Sequence, residues 1–177
     1  METTQERSVL LIDGANMHSC CRNLGIEVDY ARLGAYFGAR THLVRSYYYT
    51  AMLETAEHNT LRPLVDWLGY NGYKVVTKDA KEFSTPDGGR RIKGNMDIEL
   101  TVDAMALSDS IDHFYIFSGD GDFVYLVNEL QRRGRRVTVV SSRKASPPIL
   151  ADGLRRAADR FIDVMDIKDE ITRQRAA

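Results

Sequence analysis

The chain has 177 residues, 44% of them hydrophobic, enough for one well-buried core and too few for two ordinary domains. Its 24 basic and 25 acidic residues nearly cancel, which excludes recognition of a partner by overall field and leaves only local clustering. Adjacent Cys20 and Cys21, a polar start over Met1–Arg7 and no apolar run of membrane-spanning length predict a reduced, cytoplasmic protein with no membrane partner.

Short β-branched runs alternate with amphipathic stretches, the order expected of parallel strands joined by crossover helices. A first strand is read over Val9–Asp13, followed by helices over Asn16–Leu24 and Tyr30–Gly38. The second strand is Leu43–Tyr49, and Thr55–Asn71 follows as a helix with Leu61, Leu64, Val65 and Leu68 at helical spacing. Trp67 reads as packing on that helix. Of the consecutive Tyr47, Tyr48 and Tyr49, at least one must face the core, and Tyr49, nearest the carboxyl end, is a candidate to stack on a base. After a third strand, Lys74–Thr77, the stretch Lys78–Asn95 carries Pro86, Asp87, Gly88, Gly89 and several cations with almost nothing apolar, and reads as a flexible, substrate-facing loop. A helix over Met96–Ser108 and a strand over His113–Ser118 come next. Helix Asp122–Arg133 stops at Gly134, strand Arg136–Ser141 and helix Pro148–Ala158 follow, and Phe161–Val164 offers a last short strand. The expected architecture is a three-layer αβα domain over residues 8–165 with a mainly parallel sheet of about five or six strands, an N-terminal tail 1–7 and a C-terminal helical tail 166–177.

The carboxylates stand out against this frame. Asp13 closes the apolar run Leu10-Leu11-Ile12, at the strand end where open α/β sheets bind ligands. Gly14 permits a tight exit, and Asn16 can cap the next helix or turn its amide oxygen to the same place; a plain strand-to-helix turn explains both equally well. Ile116-Phe117-Ser118-Gly119-Asp120-Gly121-Asp122 repeats the arrangement with two carboxylates, which raise each other's pKa unless a cation sits between them. Asp122 as a helix cap is the simpler alternative. In the helix that begins at Met96, Asp97 falls in the first turn, where a carboxylate also suits the helix dipole. With Ile98, Val102 and Met105 taken as its apolar face, Asp103 lies about 120° and Glu99 about 200° around the axis from Asp97. Asp97 is therefore the expected ligand, Asp103 a ligand or a support, and Glu99 a solvent-facing residue. If the strands ending at Asp13 and Ser118 are neighbours, Asp13, Asp120 and Asp122 converge there. Oxygen donors without paired histidine or cysteine favour Mg²⁺ or Mn²⁺ over zinc. His18, His42, His58 and His113 show no ligand spacing and read as surface or structural residues, His18 alone being close in sequence to Asp13.

Taken in order, Leu11-Ile12-Asp13-Gly14-Ala15-Asn16, Lys93-Gly94 with Asp97, and Ser118-Gly119-Asp120-Gly121-Asp122-Phe123 resemble a NYN domain of the LabA-like group, within the PIN-like nuclease superfamily. The resemblance runs from Val9 to Val164. It implies a Rossmann-like, PIN-like fold and a metal-dependent ribonuclease, with Mg²⁺ or Mn²⁺ held at Asp13, Asp97, Asp120 and Asp122 and Asn16 beside them. One departure is visible: Asn95-Met96 separates Gly94 from Asp97, one residue more than the family's usual spacing. Hydrolysis by a metal-activated water would leave a 5′-phosphate and a 3′-hydroxyl. Asn16, Ser118 and the loop cations Arg90, Arg91 and Lys93 are the expected contacts to RNA, with Lys78, Lys81, Arg143 and Lys144 as further positive charge. The run Arg132-Arg133-Gly134-Arg135-Arg136 belongs at the opposite sheet edge, as a helix C-terminal charge cluster. A homodimer would give a long polymer more surface. The rival reading is a metal- and RNA-binding module that cleaves nothing. A phosphatase with Asp13 as nucleophile would want an acid where Ala15 stands, and a receiver domain would want its phospho-acceptor where the chain has Thr77-Lys78-Asp79.

Overall fold

In the computed structural model, which describes residues 5–53 and 60–173 and only the backbone of 90–93, eight strands and seven helices follow one another. They are β1 (Arg7–Asp13), α1 (Gly14–Leu24), α2 (Tyr30–Gly38), β2 (His42–Met52), α3 (Arg62–Tyr70), β3 (Tyr73–Asp79), β4 (Lys81–Ser84) and β5 (Arg90–Lys93). Then come α4 (Asp97–Leu107), β6 (His113–Phe117), α5 (Val124–Arg132), β7 (Arg136–Ser141), α6 (Asp152–Ala157), β8 (Arg160–Asp163) and α7 (Lys168–Ile171). Six strands form one sheet in the order β3-β2-β1-β6-β7-β8, each pair parallel. The chain winds outward from β1 in one direction and from β6 in the other. The two central strands therefore meet at the switch point, where a crevice opens at their carboxyl ends.

A parallel sheet covered on both faces demands strands that are apolar on both faces. β1 and β6 satisfy this, with Val9–Ile12 and His113–Phe117 all buried. Alternation sends Leu10 and Ile12 to one core, with Met17 and Cys21 of α1, Leu33 and Phe37 of α2 and Ile171 of α7. Val9 and Leu11 go to the other, with Leu100 of α4, Leu126 and Leu130 of α5 and Leu154 of α6. Tyr48 and Tyr49 divide the same way, so both are core residues, and Tyr49 is closed off from any base. Ile167 and Ile171 join the first core, and the Val28–Thr172 bridge ties the segment after residue 165 to the body of the fold.

Four expectations change. Lys78–Asn95 is no irregular loop: β4 and β5 pair as an antiparallel hairpin, Lys81 opposite Lys93 and Ser84 opposite Arg90. Its turn holds the Pro-Asp-Gly-Gly residues that were the legible sign of a reversal, Gly88 at φ 81. Helix α3 begins at Arg62 with Pro63 in its first turn, and the part of the expected helix over 55–59, with His58, lies outside the described residues. Trp67 on α3 is 39% exposed instead of packed. Finally, α4 turns Met96, Leu100 and Ala104 inward, leaving Ile98 73% and Val102 59% exposed. That helix is apolar on two stripes, and periodicity alone selected the wrong one.

Candidate metal centre

Each acidic residue is placed by an element that ends or begins at the switch point. Asp13 is the last residue of β1 and caps α1, its Oδ1 accepting the Asn16 N–H at 3.3 Å. Gly14 is required next, because a Cβ there would stand 2.7 Å from the Tyr49 carbonyl and from the Tyr48 ring. The Ser118 hydroxyl, just past β6, donates to Asp13 Oδ2 at 3.0 Å and accepts the Asp120 N–H at 3.2 Å. One buried hydroxyl thus joins the turn after β1 to the turn after β6. Asn16 makes a second bridge, its Oδ1 accepting the Gly119 N–H at 2.9 Å. Asp120 caps the single 3₁₀ turn Gly121–Phe123 by accepting the Asp122 N–H at 2.9 Å.

Asp97 arrives from the other side as the first residue of α4. Asn95 clasps it twice, donating through Nδ2 to Asp97 Oδ2 at 2.6 Å and accepting the Asp97 N–H at 2.7 Å. The extra residue between Gly94 and Asp97 therefore has a structural use: Met96 plugs into the core while Asn95 holds the carboxylate. One oxygen each from Asp97, Asp120 and Asp122 lies within 4.8 Å of the others. Asp13 adjoins the trio, close enough that its charge and that of Asp97 bear on one another. Burial is the main reason that the carboxyls of Asp13 and Asp97 are pushed above the usual range, and the negative charge of Asp120 adds to it in both.

The donor set fits a hard divalent cation. Three carboxylate oxygens gathered this closely match the all-oxygen coordination that hard divalent ions take. Among the described residues no histidine or cysteine accompanies the trio, and His18 lines a separate cavity on the α1–α3 side of the sheet. The acidic cavity itself measures about 780 Å³ and is walled by Asp13, Asn16, Asp97 and Asp120, by Thr50 and Ala51 of β2, by Phe83 and Thr85 of the hairpin, and by Ile149.

Several expected contacts take other places. Asp103 is not part of the trio: its Oδ2 accepts the buried Tyr49 hydroxyl at 2.9 Å, nearly two turns further along α4. Ser118, expected at the substrate, is 2% exposed, and its hydroxyl is bonded to Asp13 Oδ2 and the Asp120 N–H. Glu99 is paired with Lys78 at 3.0 Å instead of facing solvent alone, which occupies that cation as well. Arg143 and Lys144 lie beside Asp163 and Asp166. The basic run after α5 is engaged at the amino edge, Arg132 and Arg133 with Glu129, Arg135 with Asp112 and Arg136 with Glu6. The side chains of Arg90, Arg91 and Lys93 lie outside the described residues, while the backbone of β5 places them on the hairpin beside the cavity. Asn95 and Phe83 were missed. The first was legible as a polar residue two before a helical aspartate, and the second had no signal in a stretch read as a loop.

The family model of the NYN domain matches residues 7–167. The low amplitude and bright protein LabA of Synechococcus elongatus is 35% identical over 169 residues, covering 93% of this chain and 87% of that protein. A crystal structure of a protein of unknown function, VPA0982 from Vibrio parahaemolyticus, superposes with a TM-score of 0.75 over 98% of this chain and 99% of its own, at 24% identity, and shares the fold. Among the described residues no helix is long and apolar enough to cross a membrane.

Proposed function

Because the chain belongs to the NYN-domain family, in which nuclease chemistry is the rule, we propose that it hydrolyses RNA phosphodiester bonds at the acidic centre with bound Mg²⁺ or Mn²⁺. The observation that carries this reading is the meeting of Asp97, Asp120 and Asp122 from two separate segments at the sheet's switch point, with oxygens within 4.8 Å. Like charges held that close repel one another, and a bound cation would relieve that repulsion.

A divalent ion in this place supplies an acidified water and neutralises charge on the phosphate oxygens. The residues of the chain do the rest. Asp97, Asp120 and Asp122 would hold the ion, and Asp13, which already accepts from the Asn16 N–H and the Ser118 hydroxyl, would offer its remaining lone pairs as an acceptor beside them. Asn16 spends its carbonyl oxygen on Gly119, which leaves its amide N–H groups to donate to a phosphate oxygen. Ser118 and Asn95 fix the two halves of the constellation. Cations of β5 and Lys81 of β4 lie on the hairpin, at the side from which a phosphate backbone would approach.

The test incubates the protein with labelled RNA and DNA in Mn²⁺ or Mg²⁺, beside an EDTA control and Asp120→Asn. Cleavage of RNA that both controls reduce by at least about 100-fold is the expected result. Metal binding by calorimetry with no cleavage would replace this reading by that of a metal- and RNA-binding module, and no metal binding would overturn both.

A further inference from the structure

Among its described side chains, the hairpin carries one that is large and apolar and lies outside both cores. Phe83 of β4 is 49% exposed, whereas Phe37, Phe114, Phe117 and Phe123 are buried within the two cores. It belongs to neither core, and it stands on the wall of the acidic cavity, with Thr85 of the same hairpin. Ile149, from the segment between β7 and α6, lines the same cavity. That segment is pressed against the acidic turn: a Cβ on Gly119 would stand 2.5 Å from the Ile149 carbonyl oxygen.

The cavity is therefore chemically divided. Its floor is anionic and rich in oxygen, while its hairpin wall ends in an open aromatic face. A ligand that satisfies both must carry a phosphate for the cation-bearing floor and, within one nucleotide's reach, a flat apolar ring for the wall. A cavity of about 780 Å³ is large enough for one nucleotide and its neighbouring phosphate. Inside a duplex both faces of a base are covered by its neighbours, so a ring can stack on Phe83 only from an unpaired strand.

We propose that Phe83 is a base-stacking platform that makes this centre select single-stranded nucleic acid, an inference that rests on the nuclease reading for what happens next but not for the stacking itself. Stacking is indifferent to the sugar and tolerant of sequence, so Phe83 sets strandedness and leaves the choice between RNA and DNA to other groups.

Trp67 is the sole tryptophan and lies by another cavity, so Trp67→Phe gives a dark background in which Phe83→Trp reports on the wall alone. With Ca²⁺ in place of Mg²⁺ or Mn²⁺, a short single strand of RNA or DNA should quench this emission saturably. The same sequence as a duplex, or a strand lacking bases, should not. In the native background Phe83→Ala should weaken single-strand binding about 5- to 150-fold, with Phe83→Tyr restoring it, and should raise KM more than it lowers kcat. Equal quenching by duplex or abasic strand, or unchanged affinity in Phe83→Ala, would overturn the proposal. Quenching by single strands without cleavage in any metal would uphold the platform and sink the nuclease reading alone, whereas cleavage that ignores Phe83→Ala would do the reverse.

Discussion

Two sets of carboxylates sit at the carboxyl edge of the same sheet, and their surroundings are opposite. Asp163, ending β8, is 2% exposed and saturated with donors: the Ser142 hydroxyl at 2.9 Å, the Arg143 N–H at 3.0 Å and the Met165 N–H at 3.1 Å. Its pKa is lowered, because three hydrogen bonds and the charge of Lys144 outweigh its burial. Asp13 and Asp97, at the ends of β1 and the start of α4, are pushed the other way by burial and by Asp120. The same residue type in the same layer thus serves two ends. A carboxylate surrounded by donors closes a turn, and carboxylates that face one another wait for a cation.

The contrast can be broken most forcefully at Asp163. Asp163→Ala leaves three donors without their acceptor, and unfolding in denaturant should show a loss of about 2–4 kcal/mol. The pH dependence has a definite sign. Because the folded pKa lies below the ordinary aspartate value of 3.8, Asp163 contributes stability that is complete above that value and is lost as pH falls through the folded one. Asp163→Asn should therefore flatten the acid limb of the stability curve. An acid limb identical to that of the parent chain would show that Asp163 is not held as described.

At the acidic centre the same kind of substitution should act in the opposite direction. Asp120→Asn keeps an oxygen to accept the Asp122 N–H but removes a charge that bears on both Asp13 and Asp97. Without metal the variant should be more stable than the parent by up to about 1 kcal/mol, or about 2–4 °C in Tm, the partial exposure of the group limiting the gain. With Mn²⁺ at about a hundred times its Kd the order should reverse, since binding stabilises the parent by about 2.7 kcal/mol and the variant hardly at all. Thermal melts with and without the ion read both effects, and a variant that is less stable in both conditions would deny the centre its special character.

How far these differences could be read in advance depends on what each one rests upon. The parallel sheet, its β-branched runs and the convergence of Asp13 and Asp120 follow from alternation and from where a charge must stand after a buried strand. Helix α4 was different. Its two apolar stripes are nearly equal in the sequence, and only contact with β1 and Tyr49 decides that Leu100 and Ala104 go inward and that Asp103 meets a tyrosine hydroxyl. The hairpin failed for a related reason: its strands are four residues each and mostly polar in sequence, so they carry no apolar alternation from which to infer pairing. Asp163 gave no sign of its role, because saturation by main-chain donors leaves no mark on residue type.

Ser118 lies between the two environments and offers the smallest but most selective test. It supplies one of the two donors that Asp13 has, and accepts the N–H that orients Asp120, so it gives the acidic centre a little of the support that Asp163 has in full. Ser118→Ala should cost about 1 kcal/mol of stability, less than the loss at Asp163 because only one carboxylate oxygen is deprived. Its larger consequence should be on metal. A partner that orients a ligand changes affinity by about 10- to 100-fold when removed, so Mn²⁺ binding by calorimetry should weaken toward the lower end of that range. A residue that touched substrate would instead leave metal affinity intact and weaken strand binding in Ca²⁺. Because the Ser118 hydroxyl is buried against the protein's own groups, the change should fall on the metal alone. The reverse outcome would return Ser118 to the substrate surface and loosen the link between the two central strands on which the whole constellation rests.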